Sequence, residues 1–195
     1  KHVMLAATKL KPHIVVGLDF PIRKITDLDE RELEFLRKLG FNVKWAIESA
    51  ELRKMLCPEV LFYLPIQCYD LDHLDLFLKS IGDIDYDGFS MPVRNLSINE
   101  IALFMVRFYQ LGIKRVHLLG TSKFFAIALS AYMARNLFEL VSFDATTWRE
   151  QAQHAGYLNP CDLSSEILTS TVIVDEKFSI NCECPFCRGK TFTYI

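Results

Sequence analysis

The run Cys182–Glu183–Cys184–Pro185–Phe186–Cys187 brings three thiolates within one tight turn, close enough to share a single tetrahedral ion. Zinc is the ion that this Cys-x-Cys-x-x-Cys spacing suits, and redox-active thiols are the alternative. Structural zinc takes four protein ligands. His154 and Cys161 lack the spacing of such a loop, so the fourth ligand is expected beyond Ile195. Half of the six cysteines crowd into this run, which favours metal over disulfides and a reducing cytoplasm over export.

A second set of chemically able residues stands directly after short apolar runs. Asp19 follows Ile14–Val16, Glu48 follows Phe41–Ile47, and Gln67 follows Val60–Ile66. Arg94 and Asn95 come after Asp87–Met91, Gly120–Thr121–Ser122 after Arg115–Leu119, and Asp144 after Leu140–Phe143. Carboxylates and a carboxamide meeting at one opening suit a flat heterocycle rich in donors and acceptors. A purine is such a ligand, because carboxylate accepts from its N–H groups while Gln both donates and accepts. Taken singly, each has a plainer explanation: an Asp after a strand caps a helix or makes a turn, and Gly120 serves a turn.

What would bring them together is an alternation of strands and helices. Asp27–Gly40 has a helical period with Leu33, Leu36 and Leu39 on one face and Gly40 as its stop. Phe41–Ile47 reads as the next strand, Ala50–Leu56 as a short helix and Leu71–Ser80 as a longer one. Ser97–Ile98–Asn99–Glu100 is a capping box opening a helix that Gly112 ends, and Lys123–Arg135 is a further helix. Strands alternating with helices at this spacing must pair in parallel. Parallel barrels carry their chemistry at the C-terminal ends of the strands, where those polar residues fall.

The expected fold is therefore α/β: residues 1–150 form part of a (β/α)8 TIM-type barrel whose first units lie upstream, and residues 151–195 a zinc-binding appendage. A doubly wound open sheet is the structural alternative. In the appendage, Thr146–Asn159 is polar with one helical stretch, and Thr171–Val174 reads as a strand.

With 51% apolar and 24% charged residues in 195, the chain has the composition of a folded domain, which excludes disorder. A net charge of -2 leaves no global basic footprint, although a local patch can hide within that sum. No apolar run reaches membrane-spanning length; Phe124–Met133 suits a buried helix. Lys1–His2–Val3–Met4 lacks the zones of a signal peptide and an initiating Met, so the chain is expected to start inside a longer protein.

On several of these segments the chain resembles the tRNA-guanine transglycosylases. Cys182–Cys187 followed by Tyr194–Ile195 is similar to that family's zinc motif, and His117–Leu118–Leu119–Gly120 to its His/Tyr-Leu-x-Gly strand end. Ser142–Phe143–Asp144–Ala145–Thr146–Thr147–Trp148 resembles the segment carrying the nucleophilic aspartate. Val15–Asp19 and Tyr63–Gln67 resemble the strands whose terminal Asp and Gln contact the base, and Asp87–Ser90 the lead into a Gly-Gly-Leu loop. The double glycine after the family's Gln is here Cys68–Tyr69, and Gly-Gly-Leu is Met91–Pro92–Val93.

The resemblance implies a base exchange in which Asp144 is the nucleophile and Asp19, Gln67 and Gly120 bind the base. It also implies a structural Zn2+ on Cys182, Cys184 and Cys187, with a histidine past the last residue as fourth ligand. The partners it implies are nucleic acid, tRNA first and DNA as the alternative, a guanine or 7-deazaguanine base, and a homo- or heterodimer. A further catalytic aspartate, in an Asp-Ser-Gly segment, is expected upstream of Lys1. Two other readings stand beside it: a catalytically inactive partner subunit, for which the lost glycines argue, and a metal-dependent barrel hydrolase. The hydrolase would need histidines at strand ends, whereas His117 sits inside a strand.

Overall fold

The computed structural model describes residues 2–121, 124–145, 156–158 and 165–167. The chain divides into two compact units, Lys1–Asp144 and Ala145–Ile195. In the first, α1 (His2–Leu10) precedes an alternation of β1 (Ile14–Val16), α2 (Leu28–Leu56), β2 (Leu61–Pro65), α3 (Leu71–Ile81) and β3 (Gly88–Pro92). It continues through α4 (Ile98–Gln110), β4 (Arg115–Leu119), α5 (Phe124–Asn136) and β5 (Leu140–Phe143). In the second unit, β6 (Gly156–Leu158) pairs antiparallel with β7 (Ser165–Ile167).

The five strands of the first unit pair in parallel, in the order β1-β2-β3-β4-β5. Sequential order with no reversal rules out a doubly wound sheet, which needs a switch point. Right-handed crossovers between successive neighbours put the intervening helices on one face, and the twist of each strand curls the other face into a concave surface. The result is a curled half-barrel. The expected (β/α)8 barrel is thereby corrected: the sheet of the described residues has five strands and stays open, while the cysteines of the expected zinc appendage lie outside the described residues.

A second correction concerns the segment after Gly40. Phe41–Ile47 is rich in strand-favouring side chains, yet it lies inside α2, one continuous helix of 29 residues. The reason is its period. Phe35, Asn42, Ala46, Ser49 and Ala50 are buried at helical spacing, and Leu39 and Val43 pack beside them. This stripe runs through Gly40, which lies in open space and interrupts nothing. The leucine face expected at Leu33 and Leu36 is exposed instead. Six expected strands thus become five.

The core lies between the sheet and its helices. Phe62, Leu64 and Ile66 from β2 and its end, Phe89 and Met91 from β3, and Val116 and Leu118 from β4 are all buried in it. Helices α3 and α4 answer with Leu74, Phe77, Ile101, Phe104 and Phe108. Phe89 and Phe108 meet edge to face at 4.9 Å, the arrangement favoured by the ring quadrupoles. The capping box opening α4 is present in full: Ser97 Oγ accepts from the Glu100 amide, and Glu100 accepts from the Ser97 amide.

The opposite face is set by register. Tyr63 stands beside Gly88, Ser90 beside His117, and His117 beside Ser142. Gly88 is there because a Cβ would lie 2.5 Å from the Arg115 carbonyl oxygen and 3.0 Å from the Tyr63 ring. Since that oxygen belongs to the backbone of β4, no rotamer change relieves the clash. Gly88→Ala is therefore expected to cost about 2 kcal/mol, the scale of overpacking in a filled core, read from urea denaturation.

Candidate functional site

All five strands point the same way, so Asp19, Gln67, Arg94, Gly120 and Asp144 stand along one edge of the sheet, after β1, β2, β3, β4 and β5 respectively. Hydrogen bonds draw them into two pairs. At one side, Gln67 Nε2 donates to the Asp19 carboxylate, and Gln67 Oε1 accepts from the Ile22 amide at 3.2 Å. At the other, the Gly120 amide donates to Asp144 Oδ1 at 2.6 Å. Gln67 and Asp144 are three strand intervals apart, roughly 14 Å along the sheet at about 4.8 Å per interval. The curl shortens the direct span across the concave face.

Each pair has its own electrostatics. Asp19 is half-buried, and desolvation pushes its carboxyl above the usual range; the hydrogen bond from Gln67 offsets part of that push. Asp144 is open to solvent, its side chain 60% exposed, with Oδ2 lying 4.0 Å from His117 Nε2. Burial lowers the affinity of His117 for its proton more than the Asp144 charge raises it, so the ring is biased towards the neutral form. Its Nδ1 lies 2.9 Å from Ser142 Oγ. A solvent-facing carboxylate oriented by a backbone N–H can attack an electrophilic carbon or steady a developing cation.

Gly120 has a left-handed backbone, φ 73°, and its amide is engaged by Asp144. Its place in the site is therefore to orient the carboxylate, where the sequence pointed to base contact. Gln67 likewise spends an amide hydrogen on Asp19 and a lone pair on Ile22, which leaves one donor and one acceptor position for a ligand.

Beside Gln67 opens a cavity of about 260 Å³ that sequence reasoning missed. Its walls come from the segment between β1 and α2, the ends of β2 and β3, and the first turns of α2 and α4. Residues 20–25 form no helix or strand, yet side chains hold their backbone almost residue by residue. Asn42 accepts from the Phe20 amide (2.6 Å) and donates to its carbonyl (3.2 Å). Lys38 donates to the Pro21 carbonyl at 2.5 Å, Tyr69 Oη to that of Arg23 at 2.6 Å, and Arg31 Nε to that of Ile25 at 2.6 Å. Tyr69, which replaces a glycine of the resembled motif, thus props this wall, and Arg31 lies over its ring, 5.5 Å from the centroid.

The remaining expectations fall as follows. Glu48, placed at a strand end by the sequence, lies inside α2 and faces Lys44 at 3.8 Å. Cys68 is buried and its thiol held well above the ordinary range by desolvation, which makes it a packing residue and no nucleophile. Cys182, Cys184 and Cys187, with His154, Cys161 and Ser122, lie outside the described residues. Among the described residues no group of three or more His, Cys, Asp or Glu is placed to hold a metal ion, and no helix is long and apolar enough to cross a membrane. A comparison of the sequence with protein-family models and with curated proteins finds no match.

Proposed function

We propose that this chain exchanges guanine in nucleic acid for a 7-deazaguanine, with Asp144 as the nucleophile. The observation carrying the reading is the exposed Asp144 carboxylate, oriented by the Gly120 amide, on the same sheet edge as the Asp19–Gln67 pair. An oxygen of Asp144 attacks ribose C1′, the C1′–N9 bond breaks, and guanine departs with the bonding pair and takes up a proton. The incoming base loses its N9 proton, attacks C1′ and displaces Asp144, so two inversions restore the configuration. The transition states are oxocarbenium-like, and the negative charge of Asp144 favours them. Asp19 and the free positions of Gln67 receive the N–H and carbonyl edges of the base. The target nucleotide leaves its stack to reach them.

Transfer RNA is the proposed substrate and DNA the alternative. The test is incorporation of radiolabelled guanine into bulk tRNA and into DNA by the purified chain. Label in tRNA is the expected result, label in DNA alone moves the substrate, and label in neither rejects exchange by this chain. A specific observation favours a second reading, a catalytically inactive partner subunit: the Gly120 amide and half of the Gln67 carboxamide are already engaged within the protein. Under that reading the chain would restore incorporation only when added to an active subunit.

A further inference from the structure

The cavity beside Gln67 concentrates positive charge in a chain whose net charge is -2. Among the described residues, Arg23, Lys24, Arg31 and Arg94 line it against a single carboxylate, Glu100. Two of the four cations are partly committed: Arg23 shares Glu34 with Lys38, and Arg31 gives its Nε to the Ile25 carbonyl. Lys24 and Arg94 are exposed, and neither makes an ion pair with another described residue. They come from different segments, Lys24 from the pinned stretch before α2 and Arg94 from the end of β3, so only the fold brings them to one cavity. Like charges brought together repel, and an anion bound between them relieves that repulsion.

We infer that this cavity binds a phosphodiester of the nucleic-acid strand, next to the nucleotide whose base Gln67 contacts. The inference rests on the proposed base exchange for its choice of nucleic acid; the charge and shape of the cavity stand without it. Guanidinium groups present forked donors that match phosphate oxygens, and Lys24 adds a point charge. Holding the 20–25 backbone through Asn42, Lys38, Tyr69 and Arg31 presets the cationic wall, so little ordering remains for binding. Arg94 follows β3, between the Asp19–Gln67 pair and the Gly120–Asp144 pair. A phosphate held there ties the strand down while its base and sugar occupy the two sides.

The experiment is fluorescence anisotropy with labelled single-stranded DNA and labelled unmodified tRNA, titrated with the wild-type chain and the K24Q/R94Q variant. Binding is read between about 50 and 200 mM salt, where each lost phosphate contact lowers the slope of log affinity against log salt by about 0.7–0.9. The expected result is roughly a tenfold or larger loss of affinity and a slope smaller by about 0.7–0.9, one phosphate contact, for K24Q/R94Q, with an unchanged melting curve. Equal affinity and slope for wild type and variant would overturn the inference, and so would a wild-type chain that binds neither polymer. The polymer bound more tightly identifies the source of the phosphate. Guanine incorporation separates the two proposals. Incorporation with no K24Q/R94Q defect in binding sinks the cavity assignment alone. A clear K24Q/R94Q binding defect, with a wild-type chain that binds but incorporates no guanine, sinks base exchange alone.

Discussion

Asp144→Ala is expected to abolish the covalent nucleic-acid adduct and to reduce guanine incorporation on the order of a thousandfold or more, the scale on which loss of a nucleophile is felt. Among the described residues, the titratable side chain that pairs with it is His117, 4.0 Å away with Nδ1 engaged by Ser142. Alanine also leaves the Gly120 amide without its partner, so Asp144→Asn is the sharper variant. Its carboxamide oxygen can still accept from Gly120, while it has neither the charge nor the basicity to attack C1′. Because Asp144 is solvent-facing, the Asn variant is expected to unfold within about 1 kcal/mol of wild type. Denaturing gels of protein incubated with labelled RNA read the adduct. An adduct that persists in either variant rejects Asp144 as the nucleophile.

The second large effect is expected at Glu34, a carboxylate that no motif singled out. Its side chain is only 3% exposed, and it takes Arg23 through both oxygens, at 3.2 and 3.3 Å, and Lys38 at 2.6 Å. Hydrogen bonds from Arg23 and then Lys38 outweigh the desolvation and hold its carboxyl down at about 2. Glu34→Ala strands the ammonium of Lys38, which is 14% exposed, and the expected cost is about 3 kcal/mol. Arg23 adds little to that figure, because at 71% exposure water screens its share.

The pH dependence follows from the sign of the shift. The folded state releases this proton more readily than the unfolded chain, so the stabilisation is complete above the unfolded value of 4.5. It is lost as pH falls towards about 2. Urea denaturation should show wild type losing stability through that window, with Glu34→Gln lacking this part of the decline. A wild-type and Gln variant that lose stability in parallel there would reject the pairing. Since Lys38 also holds the Pro21 carbonyl, both Glu34 variants should in addition weaken nucleic-acid binding.

Local pattern carried much of the fold. Arg115–Leu119 and Leu140–Phe143 read as strands in sequence and are strands with those bounds, since apolar side chains crowd there between turn residues. The Ser97 capping box reads equally well, because both of its hydrogen bonds lie within four residues. Phe41–Ile47 misled for the opposite reason: strand-favouring side chains outweighed a helical burial stripe that is visible only once its neighbours are known. Strand order, which decided against a doubly wound sheet, is likewise a relation between elements and no property of any one of them.

In the site, the residues at strand ends were legible because parallel pairing carries every strand's C-terminal end to one edge, whatever the details of packing. Their partners were not. The amino-acid order by itself determined that Asp19, Gln67, Gly120 and Asp144 would share that edge. Only the tertiary structure decided that Gln67 braces Asp19, that Gly120 orients Asp144, and that Lys24 and Arg94 meet around one cavity. The bonds that build this cavity join residues 22, 45 and 46 positions apart, and no local periodicity encodes contacts of that range. They form when burying the core brings α2 and the end of β2 against the 20–25 backbone, whose polar groups then need partners.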